Sequence, residues 1–386
     1  MSLPVRLGLV YSALFVGTGA SSPYMPVWFA DRQLSGAQIG VILSAPMLAR
    51  AFTAPAIAMW ADSFHLRRTP LILMGAAAAL GYAALAAPFG FWWWFGVWFF
   101  ASSILSNMSP LVDVIVLRRA RLDGFNYGWP RGIGSAAFIV ANVGVGWLLV
   151  RTSPDLVLWW VVVAAGLGGL SARYMLPPEP VREPGQSGDL RARMGGLGGL
   201  LRDPAFMLAV VSAGLIQSAH AFYYAFSALA WKQQGVPESL TGVLWGVGVA
   251  VEIGFMWFME PWRRAVGPRR LLVLGGAAAV VRWTVLAYSP PLWAVFPLQA
   301  LHTLTFAATF LASLQLVERL STPQNASAAQ SINSALSGGL LSGAATIASG
   351  WLYDISGAKG YLLMTLMSAA GLIGALRLYG VKQLDP

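Results

Sequence analysis

The 386-residue sequence contains no cysteine. That excludes disulfides, thiolate zinc sites and cysteine-ligated iron–sulfur clusters, and it removes the usual clue to redox compartment. Charge is scarce: Asp, Glu, Lys and Arg make up 10% of the chain, against about 25% in a soluble domain. Histidine occurs three times, as His65, His220 and His302, and no paired-acid metal spacing accompanies them. No metal and no cofactor are therefore expected. A membrane-embedded enzyme is disfavoured, because it would need a catalytic cluster near a membrane face. What fills the chain instead is apolar: 57% hydrophobic residues and a mean hydropathy of +0.64. The 42 glycines and 23 prolines are compatible with membrane helices, whose neighbours re-satisfy freed backbone groups. The composition is that of a polytopic membrane protein.

Acidic residues are the scarcer sign, 15 against 25 basic, giving a formal charge of +10. On a soluble protein this would suggest nucleic acid. Here the basic residues lie mostly in short connections on one side, so membrane topology explains them and no nucleic-acid partner is expected. Only Arg6 precedes the first apolar segment and no small-residue cleavage site follows, so a retained first helix is expected rather than a signal peptide.

A spanning helix needs about 20 apolar residues. Twelve such segments begin near Leu7, Ala37, Pro70, Phe91, Pro130, Leu156, Ala205, Leu240, Arg270, Leu292, Ala326 and Gly360. The fold expected is an all-α membrane protein of twelve transmembrane helices in two pseudo-symmetric six-helix bundles. The bundles span 1–176 and 205–386, joined over 177–204 by a proline- and arginine-rich linker that reads as solvated and cytoplasmic. One set of connections carries Arg67-Arg68, Arg118-Arg119, Arg121, Arg263-Arg264, Arg269-Arg270 and Arg319. The other carries Arg32, Arg151, Lys232 and Lys359. The positive-inside rule puts the first set, and both termini, in the cytoplasm.

The halves read as repeats. "IGVILSAPMLARAFTAPAIAMWADSFHLRR" and "TGVLWGVGVAVEIGFMWFMEPWRRAVGPRR" match at an offset of 202 residues, pairing Gly40 with Gly242, Trp60 with Trp262 and Arg67 with Arg269. Arg50 falls opposite Glu252 at the same offset. Parallel six-helix repeats with charges at membrane depth describe many secondary transporters, whose solute sites lie near the midplane.

Glu252 sits in the middle of "GVGVAVEIGFMWF". An acid at mid-membrane costs roughly 2.5–3.5 kcal/mol on insertion scales and is functional by default. Arg282 lies twelve residues into the ninth segment, about 18 Å deep at 1.5 Å per residue. His302 lies on the tenth, where Gln299, Thr305, Phe306, Thr309 and Ser313 share its face. Glu252, Arg282 and His302 form a candidate proton relay, histidine titrating near neutrality when unperturbed. In the first half, Asp113 and Arg131 are placed to meet across a short connection, and Arg131, Ser135, Phe138 and Asn142 share a face. Gln217, His220 and Tyr224 give the seventh helix a polar, aromatic face suited to a ring-bearing solute. The candidate solute contacts are therefore Arg50, Asp113, Arg131, Asn142, Gln217, His220, Tyr224 and Gln299.

"SSPYMPVWFADRQLSGAQIGVILSA", "YGWPRGIGSAAFIVAN", "QSAHAFYYAFSALAWKQQGVPESLTGVLWGVGVAVEI" and "LQALHTLTFAATF" together resemble the 3-phenylpropionic acid permease group of the major facilitator superfamily, a group related to lactose permease. The likeness runs through all twelve helices. The superfamily's loop signature after helix two is partial: "ADSFHLRR" keeps Asp62, Arg67 and Arg68, the expected conformational gating loop, without the glycines. The resemblance implies the major facilitator fold, alternating access and proton-coupled symport, with Glu252 as leading coupling residue beside Arg282 and His302. It also implies a bacterial-type inner-membrane location and a functional monomer. Two departures count against copying the proton path whole. Thr305 and Phe306 stand one turn after His302 where lactose permease has an acid, and His220 and Tyr224 stand on helix seven where it has acids. Loss of acids with retention of cations favours an anionic or aromatic solute, such as 3-phenylpropionate.

Arg50 or Arg131 would hold a carboxylate, since guanidinium matches it bidentately. A sugar or nucleoside symporter, with Asp113 and Arg131 on hydroxyls, and a proton-driven exporter of hydrophobic compounds stay open. A non-transporting sensor would be expected to carry a soluble output domain.

Overall fold

The computed structural model describes residues 1–181, 197–322, 325–381 and 384; Arg182, Arg191 and Arg193 of the expected linker lie outside them. Among the described residues the chain is almost wholly helical. Six helices form α1 to α6: Leu3–Asp31, Gly36–Ala61, Arg68–Ala84, Phe91–Asp123, Gly128–Leu149 and Asp155–Met175. A short helix, Leu197–Arg202, precedes α7 (Pro204–Gln233), α8 (Glu238–Phe258), α9 (Glu260–Ala287) and α10 (Leu292–Arg319). The final two spans are α11 (326–356) and α12 (Tyr361–Arg377).

Ten helices meet a span's requirements of length and hydropathy, the last being a 53-residue run, Ala328–Gly380. That run is twice the length of one span and turns at Gly357, whose φ of 56° breaks the helix, so it holds α11 and α12. The α3 helix has 17 residues, about 26 Å at 1.5 Å per residue, close to the hydrocarbon thickness of about 30 Å. Twelve spans result.

Local chemistry sets the helix ends. Ser35 accepts from the Gln38 amide at 3.2 Å while Gln38 accepts from the Ser35 amide at 3.0 Å, a reciprocal cap on α2. Asp203 accepts from the amides of Ala205 and Phe206 at 2.8 and 3.2 Å, with Pro204 pre-set at the start of α7. The arginine-rich start of α9 is a separate turn: Gly267, at φ 76°, divides residues 260–266 from the span proper.

By contact the chain divides into two units. The first holds α1–α6 together with Ser227–Gly246, and the second holds the rest of α7–α12. In the first unit Leu7, Tyr11 and Leu14 of α1 pack with Leu71, Met74, Met108 and Val112 from α3 and α4. The α3–α6 crossing depends on glycine: a Cβ on Gly75 would lie 2.5 Å from the Gly169 Cα, the close approach that small residues allow in membranes. In the second unit Gly371 of α12 does the same against the Ser212 carbonyl of α7, where a Cβ would fall at 2.8 Å. Outward faces carry bare apolar side chains, among them Leu80, Trp92, Val140 and Leu366, as a lipid-facing surface requires.

At the start of the expected linker Pro178 and Pro180 are exposed, but the acid between them is not. Glu179 is 5% exposed. It forms an ion pair with Arg119 and lies 3.7 Å from Arg118. Its carbonyl accepts from the Arg67 amide at 2.9 Å, and Arg67 Nη2 donates to the Val181 carbonyl at 2.8 Å.

Candidate functional site

The second unit buries a cation. Arg282, on α9, is 0% exposed. Its Nη1 donates to His302 Nδ1 and to Thr305 Oγ1, both at 3.1 Å, and its Nη2 donates to Gln299 Oε1 at 3.0 Å. The guanidinium lies 4.4 Å from the Trp283 ring centre and 4.7 Å from that of Tyr223, a desolvated cation–π arrangement. These three hydrogen-bond acceptors are neutral groups. The backbone of α10 makes this possible: directly after His302 it widens into a π-helical stretch, Thr303–Ala308, a feature frequent at functional sites. Across the start of that stretch His302 and Phe306 stack at 5.2 Å, 5° from parallel, and Thr305 turns onto Arg282.

Donor and acceptor roles fix the His302 tautomer. Arginine only donates, so Nδ1 accepts and the neutral ring carries its hydrogen on Nε2. That nitrogen stands 3.7 Å from Glu252 Oε2. The Glu252 side chain is 23% exposed where that of His302 is 8%, so the acid stands at the edge of the buried network.

His220 falls at the break in α7 between Ser218 and Ala221. It is fully buried, with Nδ1 donating to the Gln217 carbonyl at 2.9 Å and Nε2 at 3.0 Å from Thr305 Oγ1. Its ring stacks on Tyr224 at 5.6 Å. Gln217 Nε2 donates to the Phe306 carbonyl at 3.0 Å. The seventh-helix face expected to meet solute thus braces the Arg282 cluster, with both His220 nitrogens engaged internally.

In the first unit Asp113 and Arg131 do not pair. Asp113 Oδ1 accepts from the hydroxyls of Tyr11 and Tyr127, the latter at 2.8 Å. Burial, then the adjacent Asp113, pushes the Tyr127 hydroxyl pKa up, which keeps it a donor near neutrality. Arg131 lies instead over aromatic faces, 4.3 Å from the Phe15 ring centre and 5.3 Å from that of Tyr11. Its Nη1 is buried with no hydrogen-bond partner among the described residues. Asn142, on the same face of α5, is 0% exposed with both amide atoms unpartnered among the described residues. Its backbone carbonyl accepts from the Tyr24 hydroxyl at 3.1 Å. Arg50, on α2, is half-buried.

The gating-loop residues hold neighbouring backbone. Arg67 grips the 179–181 stretch as described, and Arg68 Nη1 donates at 3.4 Å to the carbonyls of Arg173 and Leu176. Asp62 is exposed at the end of α2. Residues outside the sequence-based set are Thr305, Tyr223, Trp283 and Tyr361 around Arg282, Tyr11 and Tyr127 on Asp113, and Glu179. Thr305 was visible on the polar face of α10; the aromatic ones carry no sequence signal beyond adjacency to Arg282 or Tyr224.

Twelve spans enclosing buried, hydrogen-bonded charges are the architecture of a multi-pass membrane protein of the transporter class. The chain belongs to the MFS_1-like family, whose profile matches residues 5–363. It is 26% identical over 370 residues, 94% of each chain, to the probable 3-phenylpropionic acid transporter of Escherichia coli (strain K12). It is 28% identical over 356 residues, 90% of this chain and 86% of the other, to the maltose permease of Geobacillus stearothermophilus. Among solved structures it is similar to a point mutant of the nucleoside transporter NupG, with a TM-score of 0.81, 14% identity and full coverage of both chains. A bacterial homologue of the human lysosomal transporter Spinster, in an inward-facing and unoccupied conformation, matches at a TM-score of 0.72 and 16% identity, over 100% of this chain and 98% of the other. These structural likenesses establish the major facilitator fold.

Proposed function

We propose that the chain is a proton-coupled symporter of a small aromatic carboxylate, working as a monomer by alternating access between two six-helix halves, 1–176 and 205–386. It would reside in a bacterial-type inner membrane with both termini cytoplasmic. The observation that carries the coupling is Glu252, the acid within α8 of the second unit, 3.7 Å from the Nε2 of His302, the ring nitrogen that bears the hydrogen. Because Arg282 occupies Nδ1, His302 presents an N–H toward the acid's side of the ring, close enough to become its donor on a small movement, and Glu252 is the group that takes up and releases the transported proton. Proton loading removes a charge from the membrane interior, which lowers the cost of reorienting the loaded carrier.

Arg131 supports the carboxylate reading. Its buried Nη1 has hydrogens left over, and its guanidinium lies against aromatic rings. A carboxylate would take that edge bidentately, with the solute's ring beside Phe15. The Escherichia coli relative is named for 3-phenylpropionic acid. The maltose permease relative supports a sugar reading instead, in which Asp113 would bind hydroxyls. Asp113 already accepts from two tyrosines, which weighs against it.

The test is interior pH in reconstituted liposomes on addition of 3-phenylpropionate, maltose or a nucleoside, each against protein-free liposomes. That control removes the acidification caused by a weak acid crossing lipid unaided. Protein-dependent acidification with 3-phenylpropionate alone is expected. Acidification with maltose or a nucleoside alone would overturn the carboxylate reading, and none with any solute would overturn symport of these compounds.

A further inference from the structure

Around Arg282 the hydrogen-bond donors outnumber their acceptors. Arg282 Nε, Gln299 Nε2, Trp283 Nε1 and the Tyr361 hydroxyl are all buried without a partner among the described residues. The four side chains are 0–1% exposed. They form one continuous contact: Gln299 is bonded to Arg282, Trp283 lies under the guanidinium, and Tyr361 stacks on Trp283 at 5.7 Å, 6° from parallel. Orphaned buried donors are rare and call for a specific explanation. The positive charge calls for one too, since a buried ion is costly unless paired. The hydrogen bonds of Arg282 go to neutral groups, and the acid it reaches through His302, Glu252, lies one residue further on.

A water molecule meets only the first need. It could accept from two of the donors and donate to a tyrosine hydroxyl, but it leaves the guanidinium charge uncompensated. An anion accepts from several donors, donates nothing and neutralises the guanidinium. We propose that the Arg282 cluster binds one monovalent anion, held by Arg282 Nε, Gln299 Nε2, Trp283 Nε1 and the Tyr361 hydroxyl. A halide and the carboxylate of a solute share this chemistry. The site stands whether or not Glu252 couples transport.

The experiment is thermal unfolding of the purified full-length protein in sodium chloride, sodium bromide or sodium gluconate at equal ionic strength, and in gluconate with added 3-phenylpropionate. Anion binding to the folded state raises the midpoint by a few degrees over gluconate. A response to chloride and bromide assigns an inorganic anion; a response to 3-phenylpropionate alone that survives Arg131→Lys but not Gln299→Glu assigns a solute carboxylate at this cluster rather than at Arg131. Gln299→Glu sets a fixed carboxylate on the guanidinium and should abolish either response. Tyr361→Phe deletes one donor and almost no packing, and should raise the midpoint concentration of the effective anion about two- to tenfold. No anion-specific response in the wild-type protein would overturn the proposal. So would a wild-type response left unchanged by Gln299→Glu, or, where that variant does not fold, by Tyr361→Phe.

Discussion

His302 Nε2 stands 3.7 Å from Glu252 Oε2, and the hydrogen on that nitrogen is placed there by Arg282, which donates to the other ring nitrogen, Nδ1, at 3.1 Å. Three charged or titratable side chains from α8, α9 and α10 thus form one ordered series, cation to imidazole to acid. A direct Arg282–Glu252 ion pair would hold the carboxylate charged. In this structure a neutral imidazole stands between the two instead.

The donor role of His302 makes its replacements unequal. His302→Gln keeps an N–H that can face Glu252 and an oxygen that can face Arg282, whereas His302→Leu keeps neither. Uphill accumulation of the solute should survive in part in His302→Gln and vanish in His302→Leu, with both variants inserted at equal levels. Equal loss in the two would show that the imidazole acts by more than hydrogen bonding.

Arg131 is expected to set affinity for a carboxylate. Arg131→Lys keeps the charge and loses the planar fork. A hydrogen bond to a charged group contributes about 1.5–3 kcal/mol, so KM for 3-phenylpropionate should rise about 10- to 100-fold. Tyr127→Phe removes a donor from Asp113 without touching Arg131 and should change KM far less. Radiolabelled uptake over a concentration series reads both.

Glu179 gives a stability prediction remote from the solute. Glu179→Ala leaves Arg119 and Arg118 without their buried acid. Breaking a buried pair costs about 3–5 kcal/mol, and the low end applies because the arginine side chains are 27–28% exposed. The thermal midpoint in detergent should fall. An unchanged midpoint would mean that the pair contributes nothing to the folded state.

Gly75→Val tests the α3–α6 crossing. Its Cβ would meet the Gly169 Cα at 2.5 Å, and the Ala165 carbonyl lies 3.0 Å away. Backbone cannot yield as a flexible side chain does, so overpacking of about 1–3 kcal/mol or more is expected. Lower yield and a lower unfolding midpoint would follow, while Gly96→Val, a position open to space, should be neutral.

Helix starts were legible to within four residues: Phe91, Leu292 and Ala326 begin their helices as read, and the first begins at Leu3 where Leu7 was expected. The ninth span is the exception, because residues 260–266 are helical before the Gly267 break. Glu252, Arg282, His302 and Gln299 were legible because a charged or amide side chain in an apolar run is conspicuous at any register, and helical spacing then gives the face. The capture of Asp113 by Tyr11 and Tyr127 was not, because a tyrosine in a hydrophobic run reads as packing until its hydroxyl is located. Nor was the turn of Thr305 onto Arg282, which depends on a π-helical stretch that no residue pattern specifies. Glu179 was hidden by its setting, "LPPEPV", whose prolines read as solvated linker although the carboxylate folds back under two arginines. His220 was picked out for its position, but its burial depends on the break in α7.

The most direct test of the coupling role is Glu252→Gln in proteoliposomes, assayed both for solute accumulation driven by an imposed proton gradient and for solute exchange at equilibrium. A neutral amide mimics the protonated acid and cannot release the proton. Accumulation should disappear while exchange persists, because exchange requires the loaded carrier to reorient but not to deprotonate. Accumulation at the wild-type level would contradict the account, and would remove Glu252 from the proton path.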